Sequence, residues 1–361
     1  MVHAVVLRER WLRRYEFDRS ITEMSARSFL GHINPLIATL ILLASSTAAV
    51  RLYYHLKPAI PRSLRYVLRH KLAERQRNIC ADVWPILQAA ARQPAGWRGW
   101  PNQRRFAFVL SHDVESRKGL ARVKDLAELE MSMGFRSSFN FVPEGSYKVP
   151  PDLRHWLTER GFEVGVHDHR HDGKLYHSFA RFCAGAQRIN HFLHEWDAVG
   201  FRSGFMLHNL EWIQHLDVLY DSSTFDTDPF EPQSDGAQTI FPFLIQRPNG
   251  NPIVELPYTL PQDSTLFVVL RERTNQIWKN KLSWIATHGG MALLNVHPDY
   301  ICFGKSPSRY EYPLELYRDF LDHARRTYAG ALWRALPRDL AAFVRKAASP
   351  NVSPAKTLAL V

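Results

Sequence analysis

The chain holds three cysteines in 361 residues, Cys80, Cys183 and Cys302, and they lie too far apart for a CxxC metal site or the dense disulfide framework of a small secreted scaffold. Three buried or half-buried thiols are what that count implies, and they do not report the compartment. Acidic residues are sparse at one end only. Residues 1–79 carry 14 Lys and Arg against 5 acids, which leaves +2 of the total +11 for everything after residue 79. The basic character therefore belongs to the N-terminal segment, and the near-neutral remainder gives no footprint for a nucleic-acid partner. Long apolar runs are also missing. The charge-free run 36–50, between Arg27 and Arg51, has fifteen residues, short of the roughly 20 that a spanning helix needs unless it borrows Leu52, Tyr53 and Tyr54. What the chain does have is 45% hydrophobic and 12% aromatic residues, enough to pack one large α/β domain with an appendage.

The appendage is expected over 1–79, with a membrane-associated segment at 36–54. A signal peptide competes with that reading, since Ser46-Thr47-Ala48-Ala49 offers small residues, but a long basic stretch precedes it. Further on, Leu64, Val67, Leu68 and Leu72 recur near helical spacing with Arg65, Arg69, Lys71, Arg75 and Arg77 between them. Such a basic amphipathic helix fits a membrane surface through residues 36–79 and equally a helix docked on the domain with its charges solvated. A membrane or envelope location is expected ahead of free cytoplasm. The main domain is expected at 80–347 and a disordered tail at 348–361.

From Arg105 onward short apolar runs alternate with amphipathic stretches. Strands are expected at 106–110, 138–141, 162–166, 199–201, 218–220, 253–256, 292–296 and 331–333. Helices are expected at 120–133, 152–160, 180–196, 209–215, 280–288, 313–328 and 337–346. About eight βα units of this kind predict a closed or nearly closed parallel barrel, whose chemistry sits at the C-terminal ends of the strands.

Those ends carry ionisable groups. The first strand ends in Ser111-His112-Asp113-Val114-Glu115, and residues two apart on an extended backbone share a side, so Asp113 and Glu115 point together. The third ends in His167-Asp168-His169-Arg170-His171, where His167 and His171 share a face. Later ends supply Arg202, Asp221 and His297. Singly, each has an ordinary structural explanation: a lone HxxxH is weak, and Arg202 with Asp221 makes a structural pair. Together at successive strand ends they describe a site of two imidazoles and a carboxylate for Zn²⁺ or a similar divalent ion.

The order of these motifs resembles the polysaccharide deacetylase family (NodB homology, carbohydrate esterase family 4) over roughly residues 105–345. LSHDVE stands where that family usually has Thr-Phe-Asp-Asp-Gly. EVGVHDHRH carries its His-[Ser/Thr]-x-x-His, FRSGF its arginine strand end, YDSSTFDTDPF its acid and aromatic (Asp221 and Phe225), and LLNVHP its late histidine. Val114 occupies the place of the family's metal-ligating aspartate, and the family's Asp-x-[Asp/Glu] variant gives that part to Glu115. Motif three lacks the usual proline and has Gly204 instead. The resemblance implies a distorted (β/α) barrel, a divalent metal with zinc first, held by Glu115, His167 and His171, and hydrolysis of N-acetyl groups on a sugar polymer. Asp113 would be the general base, kept ionised by Arg202, with Asp221 positioning Arg202; His297 would protonate the leaving amine. His169 and His112 read as bystanders, and Tyr258, Gln262 and Asp263 as rim residues for substrate. Two alternatives remain: a metal-free cyclic amide hydrolase of the same fold, and a non-catalytic glycan-binding or membrane-assembly protein with a decayed site. Decay is disfavoured, because every base, acid and histidine position carries a competent side chain.

Overall fold

A computed structural model describes residues 62–248 and 250–348, with side chains from residue 69 onward. The run 36–54 and the tail beyond 348 lie outside the described residues. The chain divides into two units, 1–68 and 69–361. Of the first, only the opening turns of helix α1 (Arg62–Ile79) are described; the second holds the barrel. Among the described residues no helix is long and apolar enough to cross a membrane.

In chain order the barrel unit contains β1 (Phe106–Val114), α2 (Arg117–Ser132), β2 (Ser138–Phe141), α3 (Pro151–Glu159), β3 (Glu163–His167), α4 (Phe179–Trp196), β4 (Gly200–Arg202), β5 (Tyr220–Asp221), β6 (Phe243–Ile245), β7 (Ile253–Glu255), α5 (Gln276–His288), β8 (Met291–Val296), β9 (Ile301–Cys302), β10 (Tyr312–Pro313), α6 (Leu314–Thr327), β11 (Leu332–Arg334) and α7 (Pro337–Ala348). β1 pairs with β8 on one edge and with β2 and β11 on the other, and the order continues β2, β3, β4, β5, β7, all parallel. β6 joins β7 antiparallel. A single bridge between Leu260 and Leu294 of β8 brings the two sides together, so the sheet curls into a distorted (β/α) barrel as the alternation of runs predicts.

The two-residue period of a strand sorts each sequence onto two faces. In β1, Phe106, Phe108 and Leu110 join an outer core with Phe139 of β2 and with Trp278 and Phe320 from α5 and α6, whereas Ala107 and Val109 face an inner core with Met291 and Leu293 of β8. Each fully buried aromatic or aliphatic side chain contributes roughly 1.5–3 kcal/mol. α7 lays Leu340, Ala341 and Val344 against that inner core and so plugs the N-terminal end of the barrel. The polar ends of the inner rows are left at the opposite end. Helix starts follow local chemistry: Ser116 Oγ accepts from Lys118 N (3.2 Å) and Gly119 N (3.4 Å) ahead of α2, and Ser178 Oγ accepts from Arg181 N ahead of α4.

Five elements depart from the periodicity reading. The helix expected at 209–215 shrinks to a 3₁₀ turn at Trp212–His215, because Asn209 Oδ1 takes the N–H groups of Glu211 and Trp212 in a side-chain turn. The strands β6, β9 and β10 are too short to show a period. Ser264–Val269 forms a π-helix, for which sequence has no signature. Residues 69–79 of α1 dock on it: Ala73 is buried, His70 Nδ1 meets Val269 O at 2.9 Å, and Arg77 pairs with Glu272. The described cysteines are all free thiols.

Candidate metal centre

The inner rows end in the groups that make the site. Following Ala107 and Val109 inward come Ser111 and Asp113 on β1; following Met291 and Leu293 come Asn295 and His297. Asn140, His167 and Arg202 hold the corresponding places on β2, β3 and β4, with Asp113 in register with Asn140 and His167 with Arg202.

Glu115, His167 and His171 each offer a ligand atom, and these atoms lie within 4.8 Å of one another. His167 is buried and its Nδ1–H donates to the Arg202 carbonyl at 3.1 Å, which leaves the Nε2 lone pair free and aimed inward. That Nε2 and the Nε2 of His171 are both buried without a hydrogen-bond partner. His171 Nε2 stands 3.2 Å from Glu115 Oε1. An orphaned imidazole nitrogen on His167 beside a second imidazole paired with a carboxylate oxygen suits a divalent ion of the zinc type, since such an atom is costly to bury unless something binds it. The loop that carries His171 is bent to do so: Asp168 and His171 take positive φ, +53° and +54°, where a residue other than glycine is strained. Gly204 admits the ring, because a Cβ there would lie 2.9 Å from His171 Cδ2. The Phe205 ring stacks on His171 at 4.6 Å.

Asp113 lies beside these atoms, almost completely buried. Its Oδ1 accepts from Asn140 Nδ2 (3.0 Å) and its Oδ2 from Asn295 Nδ2 (2.8 Å). Arg202 Nη1 stands 3.8 Å from Oδ2, and Nη2 donates to Ser111 Oγ and Ser222 Oγ. Burial alone would raise the Asp113 pKa, but His167 beside it, the charges of Arg202 and His297 and the Asn140 bond overcome it and hold the carboxyl well below its ordinary range. His297 is driven the other way. Burial would lower it, yet Asp263, whose Oδ1 is 2.7 Å from Nδ1, raises it to about 10. At neutral pH the cleft therefore presents an ionised carboxylate facing a protonated imidazole. Groups pushed apart in this way fit a base and an acid.

Some expectations need correction. Asp221 does not brace Arg202: it is in register with Phe201, one residue short, so it projects to the outer face. There it adjoins Glu255 and accepts from Ser223 Oγ, while Ser111 and Ser222 take the arginine. Tyr258, Gln262 and Asp263 do not form a rim. All three are buried: Tyr258 donates toward Asp228, Gln262 Oε1 receives Asn295, and Asp263 holds His297. His169 bonds to Asp168 and His112 to Glu130 and the Val296 carbonyl, so neither reaches the ligand atoms. Asn140, Asn295, Ser111 and Ser222 were missed, although the period-2 row that selects Asp113 also selects Ser111, and the row that selects His297 also selects Asn295.

No protein-family model matches the sequence, and no curated protein matches it. Solved structures do. A provisionally named polysaccharide deacetylase from Mycobacterium smegmatis superposes with a TM-score of 0.52 at 18% identity, over 70% of this chain and 95% of that one. A second such protein, from Pseudomonas aeruginosa PAO1, gives 0.51 at 16% identity over 68% and 93%. The chain has the polysaccharide deacetylase fold. The Puue allantoinase shares this fold, with a TM-score of 0.51 at 16% identity over 67% of this chain and 91% of that one. In this fold the two histidines and the glutamate stand at or just beyond the C-terminal ends of β1 and β3.

Proposed function

We propose that this chain is a metal-dependent hydrolase of carbon–nitrogen, non-peptide bonds that removes N-acetyl groups from a sugar polymer or glycan. The observation that carries the reading is the convergence of the buried Nε2 atoms of His167, which has no hydrogen-bond partner, and His171, which faces Glu115 Oε1 at 3.2 Å, on one carboxylate. A divalent ion held there, zinc first among candidates, supplies a charge sink for the developing oxyanion and acidifies water. The rest falls to the chain's own residues. Asp113, held ionised by its amide and arginine neighbours, takes a proton from the attacking water. His297, held protonated by Asp263, faces the same space and delivers its proton to the departing amine nitrogen, so the amine leaves neutral instead of as an anion. Asn140 and Asn295 fix both Asp113 oxygens and prevent the carboxylate from turning away.

The experiment is acetate release from a panel of N-acetylated oligosaccharides by the full chain, before and after chelation and after Zn²⁺ is restored. Loss on chelation with recovery on Zn²⁺ is the expected result. The shared fold with an allantoinase supports one competing reading, a metal-free hydrolase of cyclic amides. Full activity on a cyclic amide in chelator, with no acetate released from any glycan, would establish that reading instead.

A further inference from the structure

We infer that Tyr300 and Asp299 are positioning residues that hold Glu115 as a one-oxygen metal ligand, an inference that rests on the metal reading above. The long glutamate side chain must be frozen about its rotatable bonds if its carboxylate is to be an ordered ligand. Glu115 also lies one residue beyond the end of β1, where pairing with β2 has stopped at Val114 and Phe141. Neither its backbone nor its side chain is held by the sheet.

The turn Pro298–Tyr300, directly after His297, supplies both restraints. Asp299 Oδ2 accepts from the Glu115 backbone N–H at 3.1 Å, and Asp299 Oδ1 accepts from Ser116 Oγ. Space for that carboxylate exists because residue 119 is glycine: a Cβ there would lie 2.1 Å from Asp299 Oδ2. Tyr147 adds a third anchor by donating its hydroxyl to the Val114 carbonyl. The side chain is fixed by Tyr300, whose hydroxyl donates to Glu115 Oε2 at 3.2 Å. With Oε2 engaged, Oε1 is the oxygen left facing His171 Nε2 at 3.2 Å and His297 Nε2 at 3.8 Å. The short turn that follows the amine-facing histidine thus carries both the backbone latch and the side-chain latch. Partners of this kind that orient a ligand typically change metal affinity about 10- to 100-fold when lost.

The test uses the full chain, stripped of metal and titrated with Co²⁺ and with Zn²⁺ against a chromophoric chelator. In Tyr300→Phe, which keeps the ring and removes only the hydroxyl, the Kd should rise about 10- to 100-fold. The visible Co²⁺ spectrum should also change as Oε2 becomes free to join Oε1, while the melting temperature of the metal-free protein stays at the wild-type value. His167→Ala should lose the same Co²⁺ spectrum, which places the titrated ion at this site. Equal affinity and an identical spectrum in Tyr300→Phe would overturn the inference while leaving the metal reading intact. A wild-type chain that takes up no ion would overturn the metal reading and the inference with it.

Discussion

Replacing Asp263 by asparagine removes the charge that holds His297 protonated and nearly preserves shape. The wild-type contacts are close: Asp263 Oδ1 lies 2.7 Å from His297 Nδ1, Oδ2 accepts from His297 N at 2.9 Å, and the pair is buried. The rise of His297 from 6.5 to about 10 corresponds to roughly 5 kcal/mol favouring the imidazolium in the folded protein. The sign follows from the direction of the shift. A histidine whose folded pKa lies above its unfolded one adds stability that is complete below pH 6.5, declines above it and is gone by about pH 10. Urea unfolding of the metal-free wild type and Asp263→Asn at intervals from pH 6 to 10 should therefore show a gap of a few kcal/mol at pH 6 that closes toward pH 10. The imidazole titration followed by NMR should move down in the variant, because burial is then less opposed. A gap of constant size across that range would mean that Asp263 acts only through its uncharged bonds to Ser264 N and Tyr312, and the assignment of His297 as a standing acid would fall.

Gly165→Ala should act at a distance from the ligands: its Cβ would lie 2.2 Å from Asn140 Oδ1, so Asn140 must leave Asp113, and turnover should drop about tenfold or more with Co²⁺ affinity unchanged. Glu163, buried against Tyr220 and the Arg338 backbone, has its pKa raised by burial to about 7. The protonated form is thus the stable one, stability from this group should decline between pH 4.5 and 7, and Glu163→Gln should flatten that decline in melting curves. We propose that residues 1–68 are dispensable for hydrolysis. A chain starting at Arg69 should keep activity, whereas one starting at Cys80 loses Ala73 and the Arg77–Glu272 pair and should melt lower; equal melting temperatures would place the boundary at residue 80.

The barrel was legible because β1, β2, β3 and β8 are apolar runs separated by amphipathic helices, and that signal survives without tertiary information. Asp113, Glu115, His167 and His171 could be read because strand parity and short spacing bring them together locally. Asp221 was misplaced by one residue of register, which no single strand reveals: only its pairing with Phe201 shows that it faces outward. Asp263 was named for the wrong duty because its partner His297 is 34 residues away and only the tertiary fold brings the two side chains together. Asn140 went unread because an amide inside an apolar strand carries no motif.

The alternation along β1 has a consequence for how this site could change over generations. Odd-numbered positions from 107 to 113 lead to the chemistry and even-numbered ones hold the outer core, so both inheritances are written in one reading frame. A single-residue insertion ahead of Ala107 that no bulge absorbed would turn Phe108 and Leu110 inward and Asp113 outward. New specificity must therefore arise by replacing side chains in place or by lengthening the connections beyond the strand ends, such as the loop bearing Phe205.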